Sequence, residues 1–478
     1  MSDFQTVIGL EVHLQLNTQS KIFCGCANTF GQPPNTQTCP VCLGLPGSLP
    51  VFNRRVLDHA LKIAMALHCN VNPFIKFDRK NYYYPDLPKG YQISQYDLPI
   101  ANNGFLEIKT GDTVKRINIR RAHLEEDAGK LIHDPAANCS LVDYNRAGTP
   151  LMEIVTEPDI HSPQEAYDYL TELKLSLQYL DVSDCDMEKG SLRCDANISI
   201  RKKGAKELGT KAELKNMNSF KAVKAALEFE ENRQAQTIQA GEKIAQETRL
   251  WNEQKQITIS MRSKEEAHDY RYFPEPDLVP FTVDQQTIEE IRKVLPESPA
   301  EKFNRFLKQY ALSEYDTQIL IQDKNLAAFF EECTTHYPQA KKICNWIIGP
   351  LAQELNTRRT GITTLNLKPG DFTDLVQKVD EGILSNLTGK NVLSAMIDTN
   401  KNAQTIISEK GLAQVSDDST LEKIVDEVIR ENEKTAAQIK EGKENAIGFL
   451  VGQAMRKTNG KANPKKLGDI IKRRIQNV

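Results

Sequence analysis

The sequence predicts an α+β fold, on three observations. Stretches alternating apolar and polar residues with period two, the pattern of half-buried strands, fall at Thr6–Leu16 and Gly190–Arg201, and Val114–Ile119 and the apolar Leu151–Thr156 also read as strands. Capped amphipathic helices interleave with them, and after Ser298 helical periodicity continues without strand alternation. The composition, 40% hydrophobic and 26% charged over 478 residues, is that of a water-soluble chain of about three domains. A formal net charge of −3 gives no global sign of nucleic-acid binding, so any basic surface must be local. No run of about 18 apolar residues occurs, so no membrane span is expected. The opening Met1–Thr6 lacks a basic stretch, so no signal peptide is expected either. Ten cysteines, four clustered and six scattered, suit a reducing cytoplasm with one metal site better than a disulfide framework.

In the first strand Ile8, Leu10, Val12, Leu14 and Leu16 point one way, and Gly9, Glu11, His13 and Gln15 the other. Glu11 and His13 therefore stand side by side, able to hold a divalent cation or exchange a proton. A solvated sheet face is the simpler alternative. Next comes C-x-C, twelve residues, then C-x-x-C: Cys24, Cys26, Cys39 and Cys42, among turn-forming glycines and prolines. Four soft thiolates in two close pairs suit a closed tetrahedral Zn²⁺ site, structural because no position stays open. A redox pair is disfavoured, since no thioredoxin-like βαβ unit surrounds it.

Asn53–Asn70 reads as a helix with Val56, Leu57, Ala60, Leu61, Ala64 and Leu67 on its apolar stripe. The stretch Phe77–Tyr96 interleaves basic residues, including Lys80 and Lys89, with tyrosines, and neither helix nor plain strand explains it. We read it as a constrained loop suited to an RNA terminus or nucleotide, or else as a loop packed over a sheet. Within the hairpins from Gly104 to Tyr144, the run His123-Leu-Glu-Glu-Asp127 concentrates acids that need neutralising. Glu153 is a lone acid in an apolar strand and needs a partner. Glu11, His13, Glu126 and Glu153 thus look like one cation site assembled from three strands.

Ser162-Pro-Gln-Glu165 is a capping box opening a helix whose stripe, Ala166 to Leu180, is core. Arg193, Asp195, Asn197 and Ser199 give the next strand a polar face fit to line a cleft. A second capping box, Ser298–Glu301, begins the helical part. From Arg456 to Val478 eight basic residues stand against Asp469 alone, a nucleic-acid patch or a solubilising tail. P-loop, Rossmann and nucleophile-elbow motifs are all missing.

Val7–His13, Phe77–Pro85, Tyr91–Gln95, Glu125–Lys130, Asn145–Pro150, Gly190–Asn197, Lys211–Asn216, Tyr270–Pro276 and Gly448–Gln453, in order along nearly the whole chain, closely resemble the B subunits of heterotrimeric aspartyl/glutamyl-tRNA amidotransferases. The resemblance implies a β-rich cradle domain with an antiparallel sheet at 1–292, carrying the zinc knuckle at 24–42. An all-α domain at 293–405 and a basic helical, tRNA-binding tail at 406–478 would follow. It implies partners, the subunits A and C, and a mischarged tRNA(Gln) or tRNA(Asn) as substrate. ATP would phosphorylate the side-chain carboxylate of the esterified Glu or Asp, and ammonia from glutamine would displace phosphate. Glu11, His13, Glu126 and Glu153 match the family's cation positions, for Mg²⁺; a histidine is unusual for that ion, so Mn²⁺ is expected to substitute. Lys80 matches a channel-gate position, with Glu125 its neighbour. The alternatives are a non-catalytic RNA-binding adaptor, which the clustered acids do not suit, and a metal-dependent hydrolase.

Overall fold

The structure, a computed structural model, describes residues 3–111, 113–134, 138–261, 270–412, 418–440, 446–458, 462 and 464–476. It divides into two units, Met1–Pro299 and Ala300–Val478. The first holds sixteen described strands: β1 Phe4–Gln15, β2 Asn70–Val71, β3 Phe74–Ile75, β4 Asp78–Asn81, β5 Tyr91–Ser94, β6 Ala101–Thr110, β7 Thr113–Glu126, β8 Lys130–Asp134, β9 Cys139–Asp143, β10 Pro150–Thr156, β11 Leu192–Lys202, β12 Ala212–Lys215, β13 Glu247–Asn252, β14 Ile257–Ser260, β15 Arg271–Pro274 and β16 Phe281–Thr282. Its helices are α1 Arg54–Ala66, α2 Pro163–Tyr179, α3 Phe220–Gln239 and α4 Gln285–Lys293. The fold is α+β, as the alternation predicts.

Nine strands form one sheet in the order β14-β13-β12-β11-β1-β10-β7-β6-β2, antiparallel except for the parallel pair β12/β13. The first strand of the chain thus lies at the centre, between β10 and β11. One face is apolar: Ile8, Leu10, Val12 and Leu14 of β1 join Leu124, Met152, Ile154, Cys194 and Ala196 in a single core. Helices α2 and α3 pack on it, and α2 starts as its capping box predicts, Ser162 Oγ accepting from the Glu165 N–H at 3.1 Å. The opposite face carries the polar residues of β1, β7, β10 and β11. Phe77–Tyr96 is not a loop throughout: β4 and β5 pair as a hairpin, and β15 adds to its edge. Core packing continues past residue 292, with Leu295 against the first core.

The second unit is all helical among its described residues, twelve α-helices running from α5 Pro299–Tyr310 to α16 Pro464–Gln476. Two apolar cores form here. The first runs from Phe306 to Ile407 and includes Ile406 and Ile407 of α12, Ala403–Lys410, so it extends beyond residue 405. The second joins Leu421, Val425 and Val428 of α13, Asp418–Glu431, to Leu467, Ile470 and Ile471 of α16. No described helix is long and apolar enough to cross a membrane.

Candidate cation site and cysteine centre

Because β1, β10 and β7 are neighbours, their register decides which polar side chains meet. His13 lies opposite Glu153, and Glu153 opposite His123. Nε2 of His13 is 3.4 Å from Glu153 Oε2 and 3.9 Å from Glu125 Oε1. Nε2 of His123 is 3.3 Å from Glu153 Oε2 and 3.6 Å from Glu125 Oε2. Ser94 Oγ donates to Glu125 Oε2 at 3.3 Å, and Arg121 closes the edge 4.0 Å from Glu153. His13, Glu125 and Glu153 each offer one ligand atom, and the three atoms lie within 4.8 Å of one another. Two carboxylates and an imidazole at that separation fit a divalent cation.

Of the four cation residues expected from sequence, His13 and Glu153 meet here; Glu126 does not. Alternation explains this placement: Ala122 and Leu124 are core, so Arg121, His123 and Glu125 share the polar face and Glu126 turns off it. Glu126 instead accepts from the Ile93 N–H at 2.9 Å and pairs with Lys89. Glu11 shares the face with His13 but stands one step along β1, opposite Asp195, accepting from Asn197 Nδ2 at 3.0 Å. Sequence reasoning missed His123 as a member, although the same alternation marks it.

Electrostatics ties the cluster together. Burial alone lowers the His123 pKa, yet Glu153 and Glu125 outweigh it and push it up to about 9. Burial likewise opposes the rise at His13, which Glu153 and Glu125 produce. For Glu125 and Glu153 burial acts upward and His123 pulls both below the usual carboxylate range. Beside them Asp127 is buried, held ionised against the effect of burial by Arg193 at 3.0 Å and Arg146 at 3.7 Å, and accepts from Gln15 at 2.8 Å.

Lys80 sits on β4, not on a loop, with Nζ 4.7 Å from the ring centre of Tyr270. Among the described residues no carboxylate pairs with it, whereas Lys89 pairs with Glu126. That pair lines a small pocket with Cys24, Cys42 and Ile93. Gly44, at φ +65°, makes room for Lys89, since a Cβ there would overlap its stem.

The four cysteines come together as their spacing predicts, with all Sγ atoms within 4.8 Å. Cys39 and Cys42 Sγ are 3.9 Å apart, against about 3.8 Å for the edge of a tetrahedron with Zn–S bonds of about 2.3 Å. The Cys39 N–H donates to Cys42 Sγ at 3.2 Å, and the Ser20–Ala27 bridge closes the C-x-C turn. All ten cysteines are free, so the donor set fits zinc.

Residues 6–289 match the family described as the GatB/GatE catalytic domain, and residues 328–475 the GatB domain. Curated relatives named as the B subunit of an aspartyl/glutamyl-tRNA(Asn/Gln) amidotransferase align over nearly their full lengths. The relative from Caldanaerobacter subterraneus subsp. tengcongensis is 54% identical over 472 residues, 99% of each chain. That from Carboxydothermus hydrogenoformans is 52% identical over 478 residues, again 99% of each. One from Persephonella marina is 51% identical over 470 residues, 98% of this chain and 99% of its own.

Proposed function

The chain belongs to the family of aspartyl/glutamyl-tRNA(Asn/Gln) amidotransferase B subunits, and from that premise we propose that its sheet face activates and amidates the side-chain carboxylate of a mischarged aminoacyl-tRNA. The observation that carries the reading is the cluster of His13, His123, Glu125 and Glu153 on the polar face of the sheet. The carboxylate of Glu-tRNA(Gln) or Asp-tRNA(Asn) attacks the terminal phosphorus of ATP, giving an acyl phosphate and ADP. Ammonia, cleaved from glutamine by the glutaminase partner of the trimer, then attacks the acyl carbon and phosphate leaves with the bonding pair.

Bringing two anions together is the barrier to the first step. Glu125, Glu153 and His13 would hold a divalent cation, whose chemistry when bound would be to offset the negative charge of the reacting anions. His123, fixed between the same two acids, orients them. Along β1 the same face opens into a groove lined by Glu11, Arg120, Asn197, Ser199 and Lys211. Lys211 and the hydrogen-bonding groups suit the nucleotide, and Arg120 would join them by giving up its paired bonds to Glu157 at 2.8 and 3.0 Å. The exposed rings of Tyr83, Tyr84 and Tyr96 near β4 and β5 suit stacking with the RNA terminus.

The buried Lys89–Glu126 pair is better placed than Lys80 to close an ammonia path. A neutral molecule passes when such a pair shifts, whereas an ammonium ion competes with the lysine and is held back. The cysteine centre holds zinc as a staple for loops that lack their own core. A heterotrimer with subunits A and C, working on the tRNA in the cytoplasm, completes the reading. The test is ADP released per glutamine consumed by the purified trimer given charged tRNA. A matched ratio supports amidation through an acyl phosphate. An adaptor would form no ADP through this chain's site, and a hydrolase would turn over without ATP.

A further inference from the structure

The cysteine centre contains a cation that the proposed reaction does not use. Lys21 is 0% exposed. Its Nζ donates to the carbonyl of Gln37 at 2.8 Å and of Tyr144 at 3.4 Å, and lies 3.7 Å from Cys42 Sγ. Among the described residues no carboxylate oxygen lies within 4 Å of that ammonium. A lysine taken wholly out of water is strongly unfavourable unless a negative charge compensates it. Two carbonyl dipoles solvate it but supply no counter-charge. Four thiolates on one divalent ion do: they make a doubly negative centre, which a single adjacent ammonium halves.

The backbone holds Lys21 in that position from two sides. Its N–H donates to the Cys26 carbonyl at 3.0 Å, inside the C-x-C turn, and the next residue, Ile22, donates to Gly148 at 3.0 Å. Gly148, at φ +83°, lies against both partners: a Cβ built there would sit 3.5 Å from Lys21 Cδ and 3.5 Å from Cys42 Cβ. Those distances are ordinary packing contacts, so the close fit of Lys21 and Cys42 against this turn is not what demands glycine; the positive φ is.

We propose that Lys21 is an integral part of the metal centre, its ammonium donating to the Cys42 sulfur and balancing the charge of a tetrathiolate zinc site, so that retention of the metal depends on it. The inference rests on the reading that the four cysteines bind zinc. Hydrogen bonds and charges just outside a ligand set hold the ligand and tune its electron density. A lysine serving only to join the Gln37 and Tyr144 carbonyls would matter for folding and leave the metal unaffected.

The full chain is purified as wild type, Lys21→Met, Lys21→Gln and Lys21→Arg, and zinc per chain is measured together with zinc transfer to a colorimetric chelator. Each protein is also loaded with cobalt to read the sulfur-to-cobalt charge-transfer band. Lys21→Met is expected to weaken zinc retention by about 10- to 100-fold and to shift that band, because the sulfur loses its donor. Lys21→Arg, which keeps the charge, is expected to retain zinc better than either neutral variant. If Lys21→Met does not fold, Lys21→Gln carries the same comparison with an N–H donor but no charge. Zinc missing from the wild type overturns the zinc reading itself. Zinc held equally well by wild type and neutral variants, with the cobalt band unmoved, overturns the role of Lys21 alone.

Discussion

His123 stands directly opposite Glu153 across the β7–β10 pair, with Nε2 3.3 Å from Oε2, and so fixes which of two adjacent acids joins the site. Two residues further along the same face is Glu125; Glu126 is on the other side, bound to Lys89. Glu125→Gln is therefore expected to lower ATP-dependent amidation by about 100-fold or more, the usual scale for removing a group that stabilises developing charge. Glu126→Gln is expected to leave tRNA-dependent ADP formation largely intact while lowering amidation from glutamine. ADP and amidated tRNA measured on one preparation separate the two. Equal loss of both products in Glu126→Gln would return that residue to the cation ligands.

Much of this geometry is legible in sequence, and the places where it is not have physical causes. The alternation of Arg121, His123 and Glu125 against Ala122 and Leu124 is plain once the strand is phased by its core residues. Three consecutive acids draw attention away from that phase. The cysteine centre is legible because ligand spacing is local. The Lys89–Glu126 pair is not, since it depends on how the β4–β5 hairpin meets the end of β7, which no local pattern encodes. Lys21 is hidden for another reason: a lysine in a loop is ordinarily solvated, and only the fold shows this one buried.

The two lysines of the β4–β5 hairpin are expected to behave differently. Lys89→Met removes the partner of a buried carboxylate and unlocks the pocket beside Cys24 and Cys42. Glutamine-dependent amidation is then expected to fall while ADP formation persists. Lys80 contacts aromatic rings rather than an acid, so Lys80→Met is expected to act mainly on the KM for charged tRNA. A selective loss of ammonia transfer in Lys80→Met, with Lys89→Met unaffected, would restore the gate to Lys80.

Asp127 gives a pH signature. Arg193 and Arg146 hold its pKa below the ordinary value of about 3.9 despite burial. A depressed carboxylate contributes stability that is fully present above its unfolded pKa and disappears as pH falls through the folded one. Asp127→Asn is expected to cost about 2–3 kcal/mol at neutral pH, at or below the roughly 3–5 kcal/mol of a fully buried pair because both arginines are partly solvated. The gap between wild-type and variant melting temperatures is expected to hold above about pH 5 and close below about pH 4. A gap that is constant down to pH 3 would mean that Asp127 acts through its hydrogen bonds and not its charge.

The C-terminal helices are expected to contribute affinity for the tRNA body without touching the chemistry. Part of their positive charge is already committed. Lys457 pairs with Glu427 at 2.9 Å and Glu431 at 2.6 Å, Arg474 with Glu422 at 2.7 Å, and Arg473 with the same Glu422. Of the eight basic residues from Arg456 onward, Lys461 and the side chain of Lys465 lie outside the described residues. Lys457, Arg473 and Arg474 must each give up an ion pair to reach a phosphate. The salt slope of tRNA binding is therefore expected to fall short of what eight free cations would give. The apolar core formed by α13 and α16 is distinct from the one that ends in α12. A cut near 405 would remove Ile406 and Ile407 from that preceding core, so the truncation belongs after Leu412, which packs against it. A chain ending there is expected to fold, to show a raised KM for charged tRNA with a flatter salt slope, and to keep its kcat for ADP formation. Unchanged tRNA affinity and slope would make these helices a solvated surface with no part in RNA binding.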